Sequence, residues 1–306
     1  MAILDIFGTR NLLWTSTFRR FLSRDTLGTI SIVVLCLFLF AAIFADVLAP
    51  FDPLKTSNDT FQYPSMHFLF GTDDLGRDVF SGVVHGSRSS LMFGVFVSLI
   101  SGLIGVLVGA TAAYAGGWID DVLMRVTEFV LIPPRFFLAL VVAALFGTSF
   151  FYLVIILSLT YWTTMARLVR AQVLSLKERP FVEAAKALGA SPSRILLFHI
   201  LPNAFPVIVT QIMLTVGSVI LLQAALDFIG IGDARRISWG SMLHNGQHFI
   251  RDGWWIVVFP SLALALLVLA LNILGDALNA ALNPKSRTTT FSQNRAIARG
   301  YCIRCH

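Results

Sequence analysis

Charged side chains are scarce in this sequence. Asp, Glu, Lys and Arg make up 13% of the 306 residues, which is about half of the roughly 25% typical of soluble proteins. A soluble chain of this length needs more charge to cover its surface, and here 56% of the residues are hydrophobic, with a mean hydropathy of +0.78. The composition therefore excludes a soluble enzyme, a DNA-binding domain and a disordered protein, and it predicts an all-α polytopic membrane protein.

Cysteine is also rare. The three cysteines are too few for a disulfide framework. Cys302, Cys305 and His306 have the spacing of a c-type haem attachment motif, which would need the carboxyl-terminal tail to lie outside the cytoplasm. Because we place that tail in the cytoplasm, we interpret it as unstructured and assign no haem or metal site to it.

An energy source within the chain is absent too. No Gly-Lys pair occurs, which rules out a phosphate-binding P-loop, and ion-coupled carriers usually bury several ionisable residues at mid-membrane. Here we place only Arg125 and Glu128 well inside a span. They are three residues apart on one helical face, and they either neutralise each other or act in gating or translocation. We therefore expect a non-catalytic chain that binds no cofactor and takes its energy from a partner.

Six apolar stretches are each long enough to cross a bilayer, which takes about 20 helical residues. They cover residues 27–49, 90–115, 122–146, 150–169, 204–227 and 255–282. Lys and Arg accumulate on the cytoplasmic side of membrane proteins, and fifteen of them lie in the two tails and the loop after the fourth span, against six in the opposite connections. The sequence thus predicts cytoplasmic tails at 1–26 and 288–306, a six-span domain at 27–287 and a periplasmic segment at about 50–89.

One cytoplasmic loop, at about 174–203, is too long for a plain connector. Pro180 and Gly189 fit the first turn and the end of a short helix, and Ser191 fits the cap of a second helix that Pro202 interrupts. This helix–turn–helix either offers a docking surface to another protein or lies on lipid headgroups as an amphipathic helix.

Three motifs carry a resemblance to a known family. Residues 183–203 resemble the EAA loop of ABC-importer permeases, whose motif positions are filled by Glu183, Ala184, Ala185, Gly189, His199, Leu201 and Pro202. Residues 70–81 resemble the segment after the first span of the C-type permeases of dipeptide and oligopeptide importers, and residues 272–284 resemble the end of their last span. The chain departs from that family at Asp227 and Glu128, where serine and aspartate are usual.

The resemblance implies a type I ABC-importer permease fold in the inner membrane, with both termini in the cytoplasm. Besides lipid, it implies as partners a second homologous permease, two ATP-binding subunits that hold ATP and Mg²⁺, and a periplasmic or extracellular solute-binding protein, but no nucleic acid. The EAA loop, with Phe181 as an apolar knob, would dock on an ATP-binding subunit.

The implied cargo is di- or oligopeptides, moved by alternating access. Nickel chelates and glutathione are alternatives within the same family. A self-sufficient channel or ion-coupled carrier is the alternative from another class.

Small and acidic residues form two further groups. Gly102, Gly105 and Gly109 belong to a row of small residues in the second predicted span, which either packs helices closely or forms a sliding surface. The family-signature periplasmic segment contains Gly71, Asp73, Gly76, Arg77 and Asp78. Its spacing matches no calcium loop, so we assign no metal and expect a folded turn close to where a solute-binding protein would dock.

Overall fold

The computed structural model describes residues 26–233 and 235–282. Within these ranges the chain is helical, and its β-structure is limited to an isolated bridge between Thr72 and Asp78. The predicted tails, apart from Thr26, lie outside the described residues, and with them Cys302, Cys305 and His306. Position 234 and the last two residues of the 272–284 motif also lie outside.

The described helices fall into long apolar spans and short connecting elements. They are α1 (Thr26–Ile43), α2 (Ala45–Leu48), α3 (Val79–Ala115), α4 (Gly117–Leu131), α5 (Arg135–Phe146), α6 (Phe150–Lys177), α7 (Pro180–Ala187), α8 (Pro192–Phe228), α9 (Trp239–Gly246) and α10 (Trp254–Leu282). Helices α1, α3, α6, α8 and α10 are each long and apolar enough to cross a membrane, and α4 with α5 makes a sixth span if the two are counted as one.

Helices α4 and α5 replace the single helix predicted at 122–146. They meet at an angle of 75°, and the break falls at Pro133 and Pro134. Proline lacks an N–H group and its ring clashes with the carbonyl four residues earlier in a helix, so two prolines in succession end α4. The prediction of an unbroken third span is therefore wrong at this point.

Contacts along α6 show that the bent pair still runs from one end of the bundle to the other. The start of α4 is tied to the end of α6 through Asp120 and Arg170. The start of α5 is bonded to the middle of α6 through Arg135, and Ala143 near the end of α5 is buried with the start of α6. The pair thus crosses α6 in the opposite direction, from the end of that helix to its start, which makes it one broken span.

Because the crossings alternate, the bundle has two distinct ends. Lys177 at the end of α6 donates a hydrogen bond to the carbonyl of Tyr114 at the end of α3 (3.1 Å), so these two spans finish together. Helix α7 follows there, and we name this the α7 end; α1 begins and α10 finishes at the same end. Residues 50–78 and 229–253 connect the spans at the opposite end, which we name the turn end.

Helix α3 is longer than the predicted span. It begins at Val79 rather than near residue 90 because Asp78 caps it, with the carboxylate accepting hydrogen bonds from the backbone N–H and the hydroxyl of Ser81 (2.8 and 2.6 Å). His85 and Arg88 interrupt the apolar pattern without interrupting the helix. The first three turns of α3 therefore come from the segment predicted as periplasmic.

Helix α8 passes through two prolines. Pro202 and Pro206 both lie inside it, so the predicted interruption at Pro202 is wrong. The stretch Ile195–Ile200 directly before Pro202 is π-helical. A wider turn at this point moves away the carbonyl that the proline ring would otherwise meet.

Helices α3 and α6 pack backbone to backbone at Gly105 and Gly109. A Cβ atom at Gly105 would lie 2.5 Å from a side-chain carbon of α6, and one at Gly109 would lie 3.0 Å from the carbonyl carbon of Ala166. Gly102 faces α8 instead, and a Cβ there would lie 3.4 Å from Cγ1 of Ile212. The close contacts favour the packing interpretation of this row over a sliding surface.

Candidate functional site

The short helix α7 is built as its sequence predicts. Pro180 occupies its first position, and Gly189 follows its end with a φ of +77°. The N–H of Gly189 bonds to the carbonyl of Lys186 (2.9 Å) and the N–H of Ala190 to that of Ala185 (3.1 Å), which is the Schellman arrangement. Open space surrounds Gly189, so this position needs glycine for its backbone conformation and not for lack of room.

One side of α7 is seated on the bundle. Val182 is fully buried and Ala185 nearly so, in a cluster with Val169 and Val173 of α6 and Ala113 of α3. Since the apolar side of α7 already contacts protein, it is not free to lie on lipid headgroups, and the docking interpretation is the better of the two.

The opposite side of α7 is exposed. It presents Phe181, Glu183 and Ala184, and Leu188 just beyond the helix is 87% exposed. Of the paired alanines, only Ala184 therefore leaves room for another protein surface, because Ala185 is buried against the bundle.

The rest of the predicted EAA loop lies in α8. His199, Leu201 and Pro202 are half-buried, and Leu201 packs on the same cluster as α7. The His199 carbonyl accepts a hydrogen bond from the Asn203 side chain (2.6 Å). Leu201 thus belongs to the cluster on which α7 is seated, whereas Glu183, Ala184 and Gly189 lie on the exposed side of the loop.

The signature segment at the turn end is a tightly bonded turn. The Asp73 carboxylate accepts hydrogen bonds from the backbone N–H groups of Leu75 (2.9 Å) and Arg77 (2.8 Å), while Gly71 and Gly76 have φ values of +76° and +69°. Burial raises the pKa of Asp73, although these N–H bonds act in the opposite direction. The residues thus hold a fold together, as expected of a folded turn.

This turn is fixed to the last span. The Trp255 indole at the start of α10 donates a hydrogen bond to the Thr72 carbonyl (3.0 Å). Arg77 and Asp78 border a cavity of about 40 Å³ shared with α9, a volume that suits water rather than a solute. The signature residues therefore shape the surface of the turn end near α9 and α10.

Arg125 and Glu128 are not paired with each other. The ion pairs among the described residues join Arg88 to Asp46, Arg170 to Asp120 and Arg235 to Asp233. Arg125 and Glu128 are instead exposed and line, with Asp121 and Arg167, an open cavity of about 410 Å³ beside the Arg170 pair. Mutual neutralisation is thus absent from the structure.

This charged cavity lies within membrane-spanning helices. Asp121, Arg125 and Glu128 belong to α4, and Arg167 belongs to α6. A charge that faces hydrocarbon is costly, so intramembrane charges face protein or a water-filled space. We therefore expect this side of the chain to face another protein or water.

Sequence reasoning overlooks Arg135, which is a third ionisable residue within the predicted span 122–146. Its guanidinium donates a hydrogen bond to the Thr164 hydroxyl (2.6 Å) and lies 4.3 Å from the centre of the Tyr161 ring. The available signal is an arginine directly after Pro133 and Pro134, inside an otherwise apolar stretch.

Asp227 has a structural role at the turn end of α8. It is buried, and its carboxylate accepts hydrogen bonds from the Ser238 hydroxyl (2.5 Å) and from the Gln223 amide (3.4 Å). Ser238 in turn caps α9. The aspartate that departs from the family pattern therefore ties the loop after α8 to the helix that follows it.

Comparison with known proteins defines the class to which this fold and these surfaces belong. Residues 101–288 match the family described as "Binding-protein-dependent transport system inner membrane component", and the chain belongs to that family. It is thus a multi-pass protein of the inner membrane. Residues 13–65 match the "N-terminal TM domain of oligopeptide transport permease C".

Individual relatives show which members of this family the chain resembles. The chain is 37% identical to the dipeptide transport system permease protein DppC of Alkalihalophilus pseudofirmus, over 90% of this chain and 91% of that protein. It is 34% identical to the oligopeptide transport system permease protein OppC of Bacillus subtilis, over 90% of each. A chain of the inward-facing MetNI methionine ABC transporter has the same fold, with a TM-score of 0.56 and 19% identity over 66% of this chain and 96% of that one.

Proposed function

We propose that this chain is a transmembrane permease subunit of an ATP-dependent peptide importer. The observation that carries the proposal is the seating of α7, whose inner side is buried against α3 and α6 while its outer side stays exposed. A protein that docks on α7 and moves can thereby move the spans. The chain itself catalyses no reaction, and ATP and Mg²⁺ are bound by two partner ATP-binding subunits.

A second permease completes the pathway. The charged cavity beside α4 and α6 is open in the single chain, and charges at this depth need a protein or aqueous neighbour. A homologous subunit facing this side would enclose an aqueous path, which alternating access opens to one end of the bundle at a time.

The charge distribution supports an orientation. Lys and Arg are concentrated in the tails and in the loop that contains α7, which by the positive-inside rule supports a cytoplasmic location of the α7 end and both termini. The turn end then faces outward, where the folded segment around Asp73 is available to a solute-binding protein.

Peptides are the cargo that the relatives support, because curated proteins 34–37% identical over 90% of this chain are named dipeptide and oligopeptide permeases. Nickel chelates or glutathione are the alternatives within the family. A self-sufficient channel or ion-coupled carrier is disfavoured, since family membership places the chain in binding-protein-dependent transport.

Reconstitution tests the proposal. We expect proteoliposomes that contain this chain, a second permease and both ATP-binding subunits to import a labelled dipeptide only with ATP and the solute-binding protein. The chain alone should carry none. Dipeptide flux through the chain alone, or import by the complex that does not depend on ATP, would contradict the proposed function.

A further inference from the structure

Arg135 is a cation at the middle of the membrane-spanning bundle. Its partner Thr164 is the fifteenth of the 28 residues of α6, so at 1.5 Å per residue it lies about 20 Å from either end of that helix. An ionisable residue at this depth is expensive to maintain and is by default a functional one.

No carboxylate neutralises Arg135 among the described residues. Its contacts are the Thr164 hydroxyl and the face of the Tyr161 ring, and the described ion pairs involve other arginines. Both neighbours are neutral, so they orient the guanidinium but leave its charge uncompensated. Arg135 also remains partly exposed in the single chain.

The backbone at this point adds to the positive potential. Arg135 is the first residue of α5, and Pro134 before it provides no side-chain cap for the free N–H groups of the first turn. A helix begins with partial positive charge and unpaired N–H donors, which favour an anion. The break in the third span thus brings a guanidinium and a helix start to the same depth.

The charged cavity lies one turn of α6 away from this position. Arg167, which lines the cavity, is one turn of α6 away from Thr164 and on the same face. A solute passing along α6 between the cavity and the turn end would therefore pass Arg135.

We propose that Arg135 binds the carboxylate of the solute in transit, which for a peptide is the C-terminal carboxylate. A planar guanidinium matches a carboxylate in a two-point hydrogen bond. The proposal rests on the proposed import function. A side-chain carboxylate of the second permease is the competing anion, and the test separates the two sources.

The test uses the complete complex in proteoliposomes, with labelled dialanine and dialanine amide as probes. For Arg135→Gln we expect import of dialanine to fall at least tenfold while the complex assembles normally. Import of the amide by this variant should equal its import by the wild type. Arg135→Lys keeps the positive charge but loses the planar guanidinium that makes the two-point hydrogen bond, and it should recover part of the import. Arg88→Gln removes an arginine from the turn end of α3 and should leave the ratio of acid to amide import unchanged.

Three results would overturn the carboxylate assignment. The first is unchanged import of dialanine by Arg135→Gln, and the second is an equal loss of import for the acid and the amide. The third is loss of the assembled complex, which would indicate that Arg135 forms an ion pair with the second permease. Absence of dipeptide import by the wild-type complex would instead contradict the proposed function, so the two failures are distinguishable.

Discussion

Arg170 and Asp120 form a two-point ion pair that joins the end of α6 to the start of α4. Nε and Nη2 of the arginine each lie 2.6 Å from a carboxylate oxygen of the aspartate. The pair fixes the start of the broken third span against α6, the helix alongside which this span crosses the bundle. Arg170 also lines the charged cavity, so the ion pair holds one of the lining residues of this cavity in place.

Removal of this pair should weaken the fold. Asp120→Asn leaves a two-point guanidinium without its carboxylate, and we expect a loss of about 1–2 kcal/mol, moderated by solvent because Arg170 is partly exposed. Thermal unfolding of the purified complex measures the change. Asp121→Asn is the matched control, since Asp121 takes part in no described ion pair; equal shifts in the two variants would show that the pair contributes nothing.

Gly189→Ala should uncouple transport from ATP hydrolysis. The φ of +77° at this position costs a residue with a Cβ roughly 1–2 kcal/mol, so the end of α7 should shift while the spans stay folded. We expect dipeptide import to fall several-fold with normal membrane insertion. Gly189→Asn is the control, because asparagine tolerates this conformation, and it should retain most of the import.

Glu183→Ala probes the exposed side of α7. Its side chain is exposed and forms no described ion pair, so the thermal stability of the isolated chain should stay within about 0.5 kcal/mol of the wild type. Import by the assembled complex should fall because the docking surface has lost a charge. If import survives both this change and Gly189→Ala, the docking assignment is wrong.

Gly109→Ala should destabilise the contact between α3 and α6. A Cβ at this position meets the backbone of Ala166, which cannot rotate away, and overpacking of this kind costs about 1–3 kcal/mol. Gly102→Ala is the matched control, because its Cβ would sit at an ordinary distance from Ile212. Thermal unfolding of both variants in detergent gives the comparison, and similar midpoints would contradict the described packing.

Hydropathy and turn chemistry account for much of this structure. The long apolar stretches correspond to α1, α3, α6, α8 and α10, and Pro180 with Gly189 marks α7 to within a residue. These features depend on local properties, namely the length of an apolar run and the backbone preference of single residues, which a sequence displays directly.

Other features depend on partners that are distant in the chain. Arg125 and Glu128 have the right spacing for a pair, yet the structure leaves both facing a cavity. The partner of Arg135 is 29 residues away, and no periodicity connects them. Pro133 and Pro134 are visible in the sequence, but the fact that the chain still crosses the bundle after them is seen only from its contacts with α6.

The close contacts at Gly105 and Gly109 also bear on how α3 and α6 can move relative to each other. Because the two backbones touch here, turning or slipping of one helix against the other would create clashes, and we expect α3 and α6 to move together with α7, which is seated on both. We therefore expect a displacement of α7 to change the angle of the third span at Pro133 and Pro134, the break that directly precedes Arg135.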